Sequence, residues 1–325
     1  MPRLSRAAYH STMTSPQLGR LDAAHTAAAL PWGALVDAIE ATLRDHAAAR
    51  AHVPERMVLP VAPGASLFVM PAWLDAAAGD VAITKLISFV GDNPSRGLPA
   101  IQGDMWVLRA STGERLALCD GPTVTARRTA AVSALAARWL APVPSGPLLV
   151  IGAGTQGHAH VEAFAELFGV RELWVHSRSA ASADALVVHA RSIGMAARRV
   201  VDMADALARC PLVVTATTAR EVCLASITRR DAFIAAVGSF KPDMIELAPN
   251  LVRELNRSAT IVIDSDAARD EAGDLIQAGV DLNSLETLAR IVTGSTERQR
   301  VTPVLFKSCG SALWDLAAAR LLART

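Results

Sequence analysis

The chain has 325 residues, 51% of them hydrophobic and 19% charged, with a formal net charge of +1. That length accommodates two domains of ordinary size, and the composition is that of a packed globular protein, not a disordered one. The near-neutral balance offers no bulk attraction to nucleic acid or to an anionic membrane surface, and no apolar run approaches the ~18 residues that a membrane span needs.

The N-terminus, Met1-Pro-Arg-Leu-Ser-Arg6, is positively charged but lacks the continuous apolar core of a secretory signal. A short tail on a cytoplasmic protein is the expectation. Helical patterning covers 15–29 and 31–49, the second with apolar residues recurring at helical spacing. Strand patterns follow at 57–62, 66–70, 81–89, 103–109 and 115–119. Turn signals separate them at Ala62-Pro-Gly64, Gly91-Asp-Asn-Pro-Ser95 and Ser111-Thr-Gly113. Strands in succession without intervening helices read as a mixed or antiparallel sheet. An Ala-rich helix is expected over 123–141, and Pro142-Val-Pro144-Ser-Gly146 then marks a boundary.

The next stretch is the most informative. Pro147-Leu-Leu-Val-Ile-Gly152-Ala-Gly154-Thr-Gln-Gly157 is an apolar strand ending in GxGxxG, with a helical pattern over 157–168 directly after it. In that context the first glycine makes a tight turn, the second lets backbone approach a pyrophosphate, and the third allows close helix–strand packing. Unpaired amides at the helix start then face the phosphates of a nicotinamide or flavin cofactor. Strands at 148–151, 172–176, 198–201, 212–216, 233–237 and 260–264 alternate with helices such as 180–194 and 202–208. This is the pattern of βαβ units, hence an α/β chain with a doubly wound parallel sheet of Rossmann type beside a smaller α+β domain. A last long helix is expected over 304–322, apolar enough to need a partner surface on the first domain.

Cys119, Cys210, Cys223 and Cys309 lie far apart and form no CxxC, and the eight histidines form no HExxH. No metal is assigned. Lysine occurs only at Lys85, Lys241 and Lys307 in a chain whose other basic side chains are arginine. An ammonium can lose a proton or act as a compact donor, which guanidinium does poorly, so these three merit inspection.

The chain resembles the ornithine cyclodeaminase/μ-crystallin family, and within it the ketimine reductases. In the first half the matching pieces are Pro54-Glu-Arg56, Thr84-Lys85, Asn93-Pro-Ser-Arg-Gly-Leu-Pro99, Thr112–Gly121 and Thr125-Ala-Arg-Arg128-Thr-Ala-Ala131. In the second half they are Gly152–Gly157, Ala236-Val-Gly-Ser239, Glu246-Leu247, Asp264-Ser-Asp266, Ala272-Gly-Asp274 and Lys307-Ser-Cys-Gly310. The resemblance implies a homodimer in which 1–128 and 304–325 form a substrate-binding and dimerisation domain and 129–303 the dinucleotide-binding domain. It implies that Arg56 and Lys85 bind substrate and that Arg128 lies between substrate and cofactor. It places Gly152, Gly154, Thr155, Gln156, Gly157, Thr217, Thr218, Gly238 and Ser308 on the cofactor. Of the Arg127-Arg128 pair, helical patterning expects one to be exposed, and only the resemblance selects Arg128 for the site.

A 2-imino acid suits these residues: guanidinium holds its carboxylate in a fixed plane, which aims one face of the C=N carbon at a nicotinamide. Ornithine cyclodeaminases place an aspartate where this chain has Phe240, and a phenylalanine cannot move a proton. Asp243 follows Pro242 at an expected helix start, where carboxylates are common for dipole reasons. The expected reaction is therefore reduction of Δ1-pyrroline-2-carboxylate or Δ1-piperideine-2-carboxylate to L-proline or L-pipecolate, with Lys85 or a bound water protonating the imine nitrogen. The alternatives are an alanine or other 2-amino-acid dehydrogenase, an ornithine cyclodeaminase, and a non-enzymatic μ-crystallin-like carrier. NAD-specific domains carry an acidic residue about 20 positions beyond the Gly-rich turn. Here Ser177-Arg178 follows the second strand, and a hydroxyl with a guanidinium suits a 2′-phosphate, so NADPH is expected over NADH.

Overall fold

The computed structural model describes residues 19–218, 220–294 and 302–323. Its first half is built on a seven-stranded sheet. β1 (Arg20–Leu21) is followed by helices α1 (Ala23–Ala28) and α2 (Trp32–Ala47), then by β2 (Ala51–His52) and β3 (Met57–Ala62). β4 (Ala65–Leu74), β5 (Val81–Val90), β6 (Ile101–Arg109) and β7 (Arg115–Asp120) form its antiparallel centre, which leads into α3 (Gly121–Leu140). The order is β1-β7-β6-β5-β4-β2, with β3 paired to β4. Strand alternation is plain in β5, where Val81, Ile83, Lys85 and Ile87 are buried and Leu86 faces out. A lysine thus sits in a stripe otherwise made of core aliphatics.

Three expectations need correction. The helix expected over 15–29 starts, within the described residues, at Ala23; the Asp22 side chain caps it by accepting from the His25 amide, and Arg20–Leu21 pair with β7 instead. Residues 15–18 lie outside the described residues. The strand expected at 198–201 lies two residues earlier, because Val201 is wholly exposed and Asp202 caps the next helix. The helix expected over 304–322 is two elements. Val304-Leu-Phe-Lys307 is a strand buried along its whole length, and the helix begins only at Ala312. A short run buried on both faces has no period that separates a doubly covered strand from a helix.

The parallel sheet has eight strands. β8 (Leu148–Ile151), α4 (Thr155–Phe168), β9 (Glu172–His176), α5 (Ala180–Ser192) and β10 (Ala196–Arg199) make one half. The other half holds α6 (Met203–Arg209), β11 (Leu212–Thr215), β12 (Phe233–Ala236), α7 (Pro249–Ser258) and β13 (Thr260–Ile263). Short elements follow: α8 (Ala268–Glu271), α9 (Gly273–Gln277), β14 (Glu286–Thr287) and α10 (Leu288–Val292), before β15 (Val304–Lys307) and α11 (Ala312–Leu322). The order is β10-β9-β8-β11-β12-β15-β13-β14. Strand direction of connection reverses between β8 and β11, where sheets of this type open a ligand crevice.

Alternate residues of each parallel strand enter separate cores. Leu148, Val150, Val214 and Phe306 join one that is continuous with the first sheet through α3 and α11, while Leu149, Ile151, Val213 and Leu305 join the other under α6 and α7. α3 is buried nearly all round, as befits a helix between two layers. α11 packs on α2, α3, β4 and β5, so the last helix does return to the first domain.

A buried ion pair locks the centre of the parallel sheet. The Lys307 ammonium donates to Ser239 O at 2.6 Å and pairs with Asp274 at 3.1 Å, both side chains fully enclosed. Burial opposes the charge on Asp274, but Lys307 and the amides of Glu246 and Leu247 hold its pKa below the ordinary carboxylate value. Asp274→Ala should strand the Lys307 charge and lower unfolding free energy by about 3–5 kcal/mol, read from denaturant midpoints.

Candidate active site

The loop after β8 is shaped by its glycines. Gly152 has a φ of +112°, and a Cβ there would lie 2.3 Å from Ala216 O on the loop after β11. A Cβ on Gly157 would lie 2.2 Å from Gly152 O, so α4 is drawn against the turn. Gly154 differs: a Cβ there meets nothing within 4 Å and would project into the open cleft. Gly154 is also the N-cap of α4 and has no side chain to cap it, so the first amides of the helix face that space unopposed. These features fit a dinucleotide pyrophosphate.

A cavity of 770 Å³ opens there, and Gly152, Gly154, Thr155, Gln156, Ser177 and Arg178 line it together with Thr217 and Thr218. A second cavity of 580 Å³ is lined by Arg56, Lys85, Arg128, Gly238 and Ser308. Thr125, Gln156, Arg178, Thr217 and Thr218 border both, so the two form one cleft. Among the residues expected to hold cofactor, Gly238 and Ser308 therefore lie on the inner cavity, and Gly157 is packed beneath the turn without lining either.

Lys85 is fully buried at the floor of the inner cavity. Its Nζ lies 2.6 Å from Asp315 Oδ2 on α11 and donates to Thr125 Oγ1 at 3.3 Å. Arg128 on α3 meets the same carboxylate, Nε to Oδ1, at 3.3 Å. Burial lowers the Lys85 pKa to about 8; Asp315 opposes that shift and Arg128 adds to it. Asp315, absent from the sequence-based set, is the carboxylate that holds both cations. Neither arginine of the 127–128 pair is exposed, contrary to expectation. Arg127 lies over the Trp32 ring at 3.9 Å and donates to Leu30 O at 2.8 Å, so its stem and charge are both used.

Arg128 is confined from the other side. Gly310 has a φ of +85°, and a Cβ there would sit 2.9 Å from Arg128 Nη1. Asp264, at the end of β13, holds that loop by accepting from Ser308 Oγ at 2.7 Å and Gly310 N at 2.9 Å. Glu246 does the same for the opposite rim, accepting from Thr217 N and Gly238 N at 2.7 Å each. Arg56 enters from the segment between β2 and β3, and its Nη2 lies 2.6 Å from Glu271 Oε1. Glu271 was also absent from the sequence-based set. Phe240 lines the inner cavity, whereas Asp243 is exposed on a turn and starts no helix, so the dipole explanation for that carboxylate falls away.

The ornithine cyclodeaminase/mu-crystallin family model matches residues 22–324. The chain belongs to that family. A family member from Burkholderia multivorans, named Delta(1)-pyrroline-2-carboxylate reductase 1, is 40% identical over 304 residues, covering 92% of this chain and 93% of its own. The ketimine reductase mu-crystallin of Rattus norvegicus is 34% identical over 272 residues, 83% of each chain. Among solved members, Thermococcus litoralis Delta(1)-pyrroline-2-carboxylate reductase, in complex with NADH and L-proline, superposes with a TM-score of 0.85 at 26% identity. That match covers 94% of this chain and 96% of that one.

With three lysines in the chain, the charge states of this family member's two buried ammonium groups are directly observable. NMR of Cε-labelled lysine should show Lys85 titrating near pH 8 and Lys307 holding its proton well above that. Asp315→Asn removes the group that raises the Lys85 pKa and should move its titration down by roughly one to three units.

Proposed function

We propose that this protein reduces the cyclic 2-imino acids Δ1-pyrroline-2-carboxylate and Δ1-piperideine-2-carboxylate to L-proline and L-pipecolate, with NADPH preferred over NADH. One observation carries the reading. Two enclosed cations, Lys85 and Arg128, share the single carboxylate of Asp315, so a positive charge is left over where the inner cavity meets the nucleotide loop. A monocarboxylate substrate completes that balance. The names of the Burkholderia multivorans and Thermococcus litoralis relatives support the same substrate class.

In this reading the nicotinamide cofactor supplies a hydride to the C=N carbon. Arg56 and Arg128 hold the substrate carboxylate and so fix the plane of the imine. Phe68, Met70 and Phe240 give the ring an apolar wall that limits water. Lys85 donates a proton to the imine nitrogen, which becomes the ring amine as the carbon takes the hydride pair. A pKa near 8 suits a group that must give up a proton at neutral pH. Asp315 keeps Lys85 protonated and aimed, and Phe240 leaves no carboxylate for ornithine cyclisation.

The domain division is part of the proposal, moved at one point from the expected 304–325: the first sheet with α11 binds substrate, while β15 (Val304–Lys307) pairs within the parallel sheet, which binds cofactor. We also assign a homodimer to the outer face of the first sheet. There Met57, Leu86 and Trp106 are 53%, 42% and 37% exposed, and β3 is exposed along its length, an apolar surface that a lone antiparallel sheet does not ordinarily show to water.

Purified protein mixed with NADPH and each cyclic imine should turn over. Pyruvate with ammonia should give little reaction, and L-ornithine should release no ammonia. Lys85→Ala should lower kcat/KM by roughly 10²–10⁴-fold. Near-normal turnover in that variant, or activity with L-ornithine, contradicts the assignment.

Ser177 and Arg178 line the nucleotide cavity at the end of β9, and the acidic group facing Arg178, Glu221, is 3.9 Å away with both side chains largely exposed. Such a pair is weak and leaves the guanidinium for a 2′-phosphate. Ser177→Asp with Arg178→Ala should shift the NADPH:NADH ratio of kcat/KM toward NADH by roughly ten- to a hundred-fold. Equal wild-type values for the two cofactors would remove both residues from cofactor choice.

A further inference from the structure

Arg56 belongs to the first domain, yet its ion pair reaches across the cleft to Glu271, the last residue of α8 on the parallel-sheet side. The same guanidinium nitrogen donates to Phe240 O at 3.5 Å. The second oxygen of Glu271, Oε2, is enclosed and has no hydrogen-bond partner. A carboxylate with one oxygen on an arginine and the other left dry depends heavily on that arginine for its charge. The other titratable groups that face it do not help. Asp264 at the end of β13 and Asp270 on α8 carry negative charge, and Cys309 lies on the loop after β15. Burial, opposed by Arg56 and reinforced by Asp264, raises the Glu271 pKa to about 7.

We propose that Glu271 and the substrate carboxylate compete for Arg56, so that capture of the substrate draws a proton from solvent onto Glu271. The inference rests on the reading of Arg56 as a carboxylate-binding residue. Two anions on one guanidinium disfavour each other, and the one that can take up a proton does so. Binding and protonation are then linked, with a definite sign. Below about pH 7 Glu271 is already neutral and affinity is at its highest; above it, each bound substrate must bring a proton with it, and affinity falls as pH rises. Glu271 is thus a positioning residue that converts pH into substrate affinity without touching the reacting atoms. Lys85, flanked by Asp315 and Arg128 in the same cavity, titrates about one unit higher and contributes a smaller uptake of its own.

Pyrrole-2-carboxylate is a suitable probe, because it is a planar ring anion with no group of its own that titrates near neutrality. Calorimetric titration of the enzyme saturated with oxidised cofactor, in buffers of different ionisation enthalpy near pH 7.5, reads the protons taken up. Wild type should take up more than about half a proton per site. In Glu271→Gln the uptake should fall below about a third of that value, and the probe should bind more tightly at pH 8 than it does to wild type. Uptake in wild type near zero, or unchanged in Glu271→Gln, overturns the proposal even if the probe binds well. If Arg56→Ala binds the probe as tightly as wild type does, the failure lies instead in the carboxylate-binding role of Arg56.

Discussion

Lys85, Arg128 and Asp315 place three charges in an enclosed space, and only one of them is negative. Removing charge from water is costly unless it is paired, so this imbalance is the constraint to which the remaining structure answers. Each of the three comes from a different element: β5, α3 and α11. None could hold its place alone, since a long cationic side chain with no partner would swing toward solvent. The packing of α11 on α3 and β5 therefore does more than cover apolar surface. It brings the counter-ion that lets a lysine stand in a core stripe, and it leaves one positive charge for a ligand to neutralise.

Around this centre the fold uses buried carboxylates as backbone clamps. Asp264 gathers the 308–310 loop, Glu246 ties the loops after β11 and β12 together, and Asp274 joins Lys307 to the segment at 246–247. Charge-assisted bonds to backbone amides are shorter and stronger than neutral ones, which gives the cleft rims fixed positions despite their lack of regular structure. The shape of the cleft is thus held by buried groups that do not line it. The Arg56–Glu271 pair is of another kind, since it bridges the cleft and one partner keeps an oxygen without a hydrogen bond.

Much of this was legible in the sequence where the signal is local. The glycine spacing at 152–157 reports a backbone geometry that only a few residues can adopt, and the alternation in β5 follows from strand period. The scarcity of lysine also carried information: Lys85 and Lys307 are both fully enclosed, one in the cleft and one in the sheet. Asp315 and Glu271 were not legible, because a carboxylate among Ala and Leu, or at the end of an acidic run, reads as a solvated helix residue. Their importance lies in partners far away in the chain, and no spacing rule encodes a contact between Asp315 and Lys85. Arg127 escaped for a similar reason, as its indole partner at Trp32 belongs to a different helix. The misread strand at 304–307 shows the limit of periodicity where both faces are covered.

That strand has a consequence for how the sheet and the charged site are joined. β15 lies between β12 and β13, yet it follows both in chain order by many residues. Without β15 the parallel sheet lacks its sixth strand, and β12 and β13 have no hydrogen-bonded partner on the edges that face it. Among the described residues, β13 and β14 are hydrogen-bonded to the β10-β9-β8-β11-β12 block only through β15. β15 therefore unites the sheet, and the helix that follows it, α11, carries Asp315 to Lys85. One segment, 304–322, thus both closes the sheet and completes the charged cluster.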